Sequence, residues 1–316
     1  MAPTFLPIAE TGLGLDPAGL LAAMEPFVAQ RLTPTDPLWT AEVARKSAKT
    51  RKQLRKRRWL GWLGRGKHRD QTRIEAEYDN AWARKNLAPY EMEPRPSAGA
   101  AWQYRDAVMF ATSAAGSRAR LLVLMRAIAS LAPRSVLEVG CGNGLNLLTL
   151  ACRFPEVRFA GVELTEGGFA VGRAVQEETE LPEVLRRFSP EPPLDVRAHR
   201  TVDFHRGSAG ALPFADCAFD LVYSSLALEQ MEQLRPQALA EMARVAARHT
   251  VMLEPFWDCN DQGLRRDYLL TRDHFRGRID DLPGYGLDPI LVTDDLPGEI
   301  WLQPCLVVSR KRAAAA

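Results

Sequence analysis

The sequence predicts an α/β fold in which seven strands form a parallel sheet with helices on both faces, behind a helical N-terminal region. Two observations support this prediction. From residue 136 onward, short apolar runs typical of buried strands alternate with segments of helical spacing, an order that produces parallel strands. The first of these runs ends in a glycine-rich turn, and a helical segment follows directly. A strand, a glycine turn and a helix in this order are typical of a nucleotide site.

The N-terminal region is predicted to be helical. A helix is expected over residues 16–32, with Asp16 as N-cap and Pro17 at its first position. Further helices are expected over 41–58 and 71–85. After two prolines at 94 and 96, residues 101–131 are expected to form one long helix, with an interruption at 115–117.

The remainder is predicted as alternating strands and helices. Strands are expected near 136–139, 158–162, 201–205, 219–224, 249–254, 289–293 and 301–309. Helices are expected near 145–153, 166–178, 235–247 and 262–279. Residues 180–195 contain four prolines and are predicted to be an inserted surface loop.

Composition narrows the class of protein. The chain has 316 residues, of which 46% are hydrophobic, enough for a sizeable core. No apolar run reaches the length of a membrane span and the start lacks the pattern of a signal peptide, so a cytoplasmic protein is expected. The five cysteines are widely spaced, which predicts neither a metal site nor a disulfide framework.

Charge is distributed very unevenly along the chain. Residues 45–73, which we call the basic arm, contain 13 Lys or Arg and one acid, Asp70. The arm therefore carries about +12 and the rest of the chain about −10, although the net charge is only +2. Ordinary protein surfaces interleave both signs, so this imbalance predicts docking on an anionic surface.

Two acidic residues strengthen the prediction of a nucleotide site at the glycine turn. Gly140, Gly142 and Gly144 remove side chains where the backbone approaches a ligand or adopts positive φ. Glu163 lies about 20 residues later, at the end of the second apolar run, where a carboxylate accepts hydrogen bonds from ribose hydroxyls. Glu138 lies inside the first strand, where an unpaired charge is costly and where a dinucleotide-binding fold has no use for an acid.

These residues resemble a known family. Residues 136–144, Val-Leu-Glu-Val-Gly-Cys-Gly-Asn-Gly, resemble the first motif of the class I methyltransferases that use S-adenosylmethionine (SAM), which have a Rossmann-like sheet. Residues 204–231 resemble the type 11 branch, which includes quinone-biosynthesis methyltransferases, through Leu-Pro-Phe-Ala-Asp, Phe-Asp-Leu-Val and Leu-Glu-Gln. The chain departs from the family pattern at Ser208, where Asp is usual, and at Gln230, where His is usual. The resemblance covers about residues 121–310.

The resemblance implies a domain organisation and a cofactor. Residues 121–316 would form the SAM-binding methyltransferase domain behind an N-terminal region of residues 1–120, and the last strand would run antiparallel. The cofactor would be SAM. The residues expected to bind it are Glu138, Gly140, Cys141, Gly142, Asn143, Gly144, Glu163, Leu164, Ser208, Ala209, Ser224 and Ser225.

Candidates for the chemical step follow the fourth and fifth strands. Glu229 lies just beyond the fourth strand, where the methyl group would emerge, but a helix-start carboxylate stabilised by the helix dipole is the favoured explanation. Glu254 ends the fifth strand beside the cleft, with a water-exposed acid as its alternative. Candidates for the substrate side are Tyr104, Tyr223, Gln230 and His274.

Three functions are therefore weighed. The first is methyl transfer to an O, N or C nucleophile of a small-molecule or lipid-linked substrate. The alternatives are an RNA methyltransferase that docks through the basic arm and a scaffold that binds SAM without turnover. For the arm itself, Trp59 and Trp62 flanked by leucines favour the headgroup region of an anionic membrane, at the inner membrane face, over RNA.

Overall fold

The computed structural model describes residues 3–62, 75 and 86–313. Its N-terminal elements are α1 (Pro17–Met24), β1 (Val28–Leu32), α2 (Pro37–Trp62), β2 (Ala100–Tyr104), β3 (Ala107–Ala111) and α3 (Ser113–Leu131). The predicted helix over 71–85 lies outside the described residues except for Glu75, and so does the basic arm beyond Trp62.

The larger sheet contains seven strands: β4 (Ser135–Val139), β5 (Arg158–Glu163), β6 (Asp203–Arg206), β7 (Phe219–Ser225), β8 (Ala246–Glu254), β9 (Leu287–Thr293) and β11 (Cys305–Lys311). Their order across the sheet is β6-β5-β4-β7-β8-β11-β9. The strands from β6 to β8 are parallel, and β11 runs antiparallel to both of its neighbours. The predicted fold class and the antiparallel last strand are thus confirmed.

The helices connecting these strands are α4 (Leu145–Arg153), α5 (Glu166–Gln176), α6 (Glu183–Phe188), α7 (Arg235–Val245) and α8 (Gly263–Arg272). One face of the sheet packs on side chains of α1, α3, α4 and α6, and the other face packs on α7. Within β4, Val136 belongs to the first core and Leu137 to the second. A strand buried on both faces reads as a continuous apolar run, which is why the sequence predicted it.

A second, smaller sheet lies in the N-terminal region and corrects one prediction. Residues 100–111 form a hairpin, β2 and β3, where the sequence analysis expected the first third of a helix. Arg105 turns the hairpin at φ 51°, and α3 then runs through 115–117 without interruption. Both faces of the hairpin are buried, with Trp102 in one core and Ala101 in another. This two-sided burial removes the polar alternation that distinguishes a strand from a helix.

The small sheet joins residues from distant parts of the chain. Its order is β1-β3-β2-β10, where β10 (Gly298–Glu299) comes from beyond the larger sheet's β9. Glu299 pairs with Trp102 in antiparallel register. The domain boundary at residue 120 stays a prediction, and this sheet draws strands from both sides of it.

Two further segments differ in part from expectation. α1 begins as predicted, with the Asp16 carboxylate accepting from the Gly19 amide at 2.7 Å, but it ends at Met24 and β1 follows. The predicted surface loop over 180–195 contains α6, whose Leu185 and Phe188 are buried. Burial of these apolar side chains, which lie at helical spacing, stabilises α6 although prolines flank it.

One narrow face of helix α2 packs against α8. Trp39, Thr50 and Leu54 are buried on this face, and the Arg57 guanidinium lies 2.9 Å from the Asp273 carboxylate. The helix therefore extends beyond the predicted 41–58, because buried contacts hold it at both ends. Within the described ranges, no helix combines the length and the apolar character that crossing a membrane requires.

Candidate cofactor cleft and adjoining polar cluster

A cleft with a volume of about 220 Å³ opens at the C-terminal ends of β4, β5 and β7. The turn at 140–143 forms its floor, and residues after β5 and β7 form its sides. In a parallel sheet, the loops that leave the C-terminal ends of the strands build the ligand site.

The glycines of the turn are required by conformation and by space. Gly140, Gly142 and Gly144 have φ values of 73°, 56° and 69°, a region that side chains strain. A Cβ atom on Gly140 would lie 2.6 Å from the Cβ of Ala227, and one on Gly144 would lie 2.6 Å from the Phe204 ring. Gly144 faces away from the cleft and caps the start of α4.

Glu163 ties the glycine turn to the loop after β5. Its carboxylate accepts from the Gly142 amide at 2.8 Å and from the Thr165 amide and hydroxyl at 2.9 and 2.6 Å. A carboxylate offers about four acceptor positions, so one position remains open toward the cleft. Glu163 lines the cleft although only 7% of its surface is exposed.

Glu138 is the second carboxylate of the cleft and is nearly fully buried. Its Oε2 atom has no hydrogen-bond partner in the described part of the chain. Burial raises the pKa of Glu138 to about 8, with the nearby Tyr223 phenol opposing the rise and the Glu163 charge adding to it. A carboxyl group that lines a cleft is a candidate partner for the ammonium group of a ligand.

Nine of the twelve residues predicted to bind a cofactor line this cleft: Glu138, Gly140, Cys141, Gly142, Asn143, Glu163, Leu164, Ala209 and Ser225. Gly144, Ser208 and Ser224 do not line it. The Ser208 hydroxyl instead accepts from the Gly210 amide, and Ser224 is fully buried below the surface of the cleft.

Several lining residues were not predicted. Asn146 and Thr165 follow the glycine turn and Glu163 directly, so their position beside the motifs was a usable signal. Tyr90 and Ser117 come from distant segments and carried no local signal. The Tyr90 hydroxyl bonds with Asn143 of the glycine turn, which brings the segment before β2 over the cleft.

Comparison with known proteins agrees with this geometry. Residues 137–253 match the family described as a methyltransferase domain, of type 11. The malonyl-[acyl-carrier protein] O-methyltransferase of Halorhodospira halophila (strain DSM 244 / SL1) is 34% identical over 117 residues, which are 36% of this chain and 32% of that protein. Residues 137–253 are thus similar to methyltransferase domains of type 11, and the predicted resemblance is confirmed for this part of the chain. The chain spans about a third of the length of this relative.

Two solved structures illustrate what this chain is similar to. The [4+2]-cyclase SpnF is 16% identical, with 78% of this chain and 98% of that chain covered and a TM-score of 0.48. A putative sarcosine dimethylglycine methyltransferase from Galdieria sulphuraria is 13% identical, with 63% and 88% covered and a TM-score of 0.47.

Beside the SAM cleft of the methyltransferase domain lies a group of charged side chains that we call the polar cluster: Arg120, Glu229, Glu254 and Glu299. Glu254 is fully buried, which excludes the water-exposed alternative weighed from the sequence. Its carboxylate accepts from the backbone amides of Ala227, Leu228 and Glu229 at 3.0, 3.1 and 3.2 Å. Glu254 thus holds the turn that follows β7.

Glu229 lies on that turn, one residue from the cleft. Its Oε1 atom accepts from the Gln230 side-chain amide at 2.5 Å, and Gln230 lines the cleft. Burial and the charge of Glu254 raise the pKa of Glu229 to about 8. Burial likewise raises the pKa values of Glu254 and Glu299 to about 7. These acids are therefore partly protonated at neutral pH.

The four predicted substrate-side residues separate in space. Gln230 lines the cleft. Tyr223 is fully buried beside Glu138, and its hydroxyl has no hydrogen-bond partner in the described ranges. Tyr104 is buried in the small sheet near Asp295 and Arg105, whereas His274 is buried against the Tyr268 ring. Of the four predicted residues, Gln230 therefore lines the cleft, and the substrate role of all four stays a prediction. Arg120 and Glu299 of the polar cluster were not predicted.

Proposed function

We propose that this protein transfers the methyl group of SAM to an O, N or C nucleophile of a small-molecule or lipid-linked substrate. The observation that carries the proposal is a glycine-floored cleft lined by two carboxylates, Glu138 and Glu163. Glu138 comes from the strand before the glycine turn, and Glu163 accepts from the Gly142 amide of that turn. Together they match a ligand that has an ammonium group at one end and a ribose at the other.

The cleft residues would divide the cofactor between them. Glu138 would hold the amino group, Ser225 and the 140–143 backbone the methionine portion, and Glu163 the ribose hydroxyls. Leu164 and Ala209 would lie beside the adenine. Bound SAM supplies an electrophilic methyl group, so the protein's own task is to align the acceptor and exclude water.

Ser208 and Ser224, which do not line the cleft, are proposed to act through their neighbours. The Ser208 hydroxyl fixes the 208–210 turn beside Ala209. Gly144 similarly fixes the start of α4 and hence the end of the glycine turn. These three residues would shape the cofactor site and need not touch SAM.

The two catalytic candidates receive different roles. The Glu254 carboxylate accepts from three backbone amides of the turn after β7, so we assign Glu254 the role of positioning this turn. Glu229 shares one oxygen with Gln230 and lies nearest the cleft of the two. Its other oxygen is sealed from solvent, so Glu229, with its pKa raised to about 8, would take a proton from an acceptor hydroxyl or ammonium after the turn rearranges.

One relative is named as a malonyl-[acyl-carrier protein] O-methyltransferase, and this name supports an acceptor whose reacting part is small. It matches this chain only over the cofactor half, so it supports the class of reaction more strongly than the substrate.

Transfer of labelled methyl groups tests the proposal. Purified protein and labelled SAM are incubated with a total extract, which is then separated into lipid, small-molecule and RNA fractions. Label is expected in the lipid or small-molecule fraction, whereas label in RNA would favour the RNA alternative. Calorimetric binding of S-adenosylhomocysteine (SAH) without label in any fraction would favour the non-catalytic scaffold.

A second proposal concerns where the protein docks. The outer face of α2 carries exposed cations of the basic arm, and the helix ends at Trp59 and Trp62, which are 60% and 82% exposed. Cations beside exposed indoles suit the headgroup region of an anionic membrane, where each cation contributes about 1 kcal/mol. This supports peripheral binding at the inner membrane face.

Flotation with vesicles of anionic and of neutral lipid tests the docking proposal. Binding is expected with anionic vesicles alone, and it should fall with added salt and with Trp59→Ala plus Trp62→Ala. Leu38→Ala is the matched control, because Leu38 is 55% exposed at the opposite end of the same helix. A protein that ignores vesicles but shifts RNA at physiological salt would replace the membrane with RNA as the partner.

A further inference from the structure

Arg120 of the polar cluster lies deep in the protein next to the cofactor cleft. It belongs to α3, and its Nη2 donates to the hydroxyl of Ser117, which lines the cleft, at 3.1 Å. Burial lowers the pKa of Arg120, while the charges of Glu299, Glu229 and Glu254 act in the opposite direction. The guanidinium therefore lies one side chain away from the cleft.

The hydrogen-bonding capacity of Arg120 is mostly unused. A guanidinium has five N–H donors, and the contact with Ser117 uses one of them. In the described residues, no carboxylate lies within 4.0 Å of it. The side chain also keeps a partial exposure, and its nitrogens are not among the sealed polar atoms that lack partners. The free donors thus face space that solvent or a ligand can occupy.

The neighbouring carboxylates are already engaged. Glu254 accepts from three backbone amides, Glu229 accepts from Gln230, and Glu299 bonds with the Trp301 indole. The free Oε2 of Glu229 is sealed from solvent, so a ligand does not reach it without rearrangement. What the polar cluster offers to an incoming molecule is a set of donors on a cation.

We propose that Arg120 is the anion-binding subsite of the acceptor pocket and that the methyl acceptor carries a carboxylate. The proposal rests on the proposed methyltransferase function and names its substrate class. A guanidinium holds a carboxylate through two parallel hydrogen bonds. A phosphate fits less well, because its second negative charge would face three glutamates. An ammonium group fits less well, because the accessible atoms are donors.

The residues around Arg120 fix its position from the other side. Gly116 leaves no room for a side chain, since a Cβ atom there would lie 3.0 Å from Nη1 of Arg120 and 2.1 Å from Cη2 of Trp102. Trp102 in turn pairs across the small sheet with Glu299. This close packing preorganises the guanidinium, which favours affinity for a ligand that matches it.

Binding of small probes tests the proposal. Hexanoate and benzoate are titrated into the protein with and without SAH, alongside the uncharged hexanamide and benzamide and the cationic hexylamine and benzylamine. The carboxylates are expected to bind the wild type, and the amides and amines are not. Arg120→Gln should weaken carboxylate binding at least tenfold and Arg120→Lys should weaken it less, while SAH binding stays unchanged in both.

The control is Arg126→Gln, because Arg126 lies on the exposed side of α3 and pairs with Glu191. Unchanged carboxylate binding by Arg120→Gln would overturn the proposal, as would binding of the amines in preference to the carboxylates or binding of no probe. If the wild type does not bind SAH, the proposed cofactor function is refuted. The carboxylate titrations without SAH would still test whether Arg120 binds an anion.

Discussion

Replacing Glu163 by alanine separates two roles that the structure gives to one carboxylate. In the protein, this carboxylate joins the glycine turn to the start of α5 through the Gly142 amide and the Thr165 amide and hydroxyl. In the proposed complex, its remaining acceptor position takes a ribose hydroxyl. The substitution removes the internal contacts and the ligand contact together, and each has its own measurable consequence.

The expected sizes follow from the number of contacts. A hydrogen bond to a charged group contributes about 1.5–3 kcal/mol, so the loss of one ribose contact should weaken SAH binding about 10- to 150-fold. The two backbone N–H groups at Gly142 and Thr165 lose their acceptor at the same time. Water can reach the part-buried Gly142 amide more easily than the buried Thr165 amide, so the free energy of unfolding should fall by about 1–3 kcal/mol.

Calorimetry with SAH and urea denaturation measure the two effects. Glu166→Ala is the matched control, because Glu166 lies in the first turn of the same helix with its side chain 61% exposed. We expect the control to change the dissociation constant less than threefold. If Glu163→Ala lowers stability but binds SAH within threefold of the wild type, Glu163 only fastens the turn, and the assignment of the ribose end of the cleft is wrong.

Three further outcomes are expected. Gly142→Val should abolish SAH binding, because a β-branched residue is strained at φ 56° and fills the floor of the cleft. Gly116→Ala should lower the free energy of unfolding by about 1–2 kcal/mol in urea, because the overlap with Trp102 outweighs the roughly 1 kcal/mol of helix propensity that alanine adds. Glu138 has a higher pKa folded, about 8, than unfolded, so the native state holds the extra proton and stability should fall as pH rises from about 5 to 8. Glu138→Gln should make that slope shallower, while Glu229, Glu254 and Glu299 keep contributing to it, and an unchanged slope would contradict the raised pKa of Glu138.

The cofactor half of the molecule could be predicted because its signals are local. The strand, glycine turn and helix at 136–153 lie within eighteen consecutive residues, and Glu163 follows at the end of the next strand. Buried parallel strands give continuous apolar runs, and the helices between them keep their own spacing. The departures from the family pattern at Ser208 and Gln230 could also be seen in the sequence. The sequence did not show that Ser208 lies beside the cleft and that Gln230 lines it.

The acceptor side could not be predicted because it is assembled from distant segments. Tyr90 reaches the cleft through Asn143, and the charge of Glu299 acts on Arg120 across 179 positions of the sequence. The hairpin over 100–111 has no strand-like alternation in its sequence, because both of its faces are buried. No periodicity in a single segment records which remote side chain will face it, so Arg120 and Glu299 had no signature in the sequence, whereas Glu229 and Glu254 could be predicted from the strands that they follow.

The small sheet explains why relatives inform one half of the site better than the other. β10 brings Glu299 against Trp102 of β2, and the Trp102 ring packs on Gly116, one turn of α3 before Arg120. In the proposal for Arg120, the acceptor side is therefore built jointly by the N-terminal region and the segment after β9. Both lie outside residues 137–253, the part that matches the methyltransferase family. Selection for a different acceptor can thus act on these flanking segments while the cofactor cleft stays unchanged. Substrate class should accordingly follow the residue at position 120 and its neighbours, whatever the identity across the matched domain.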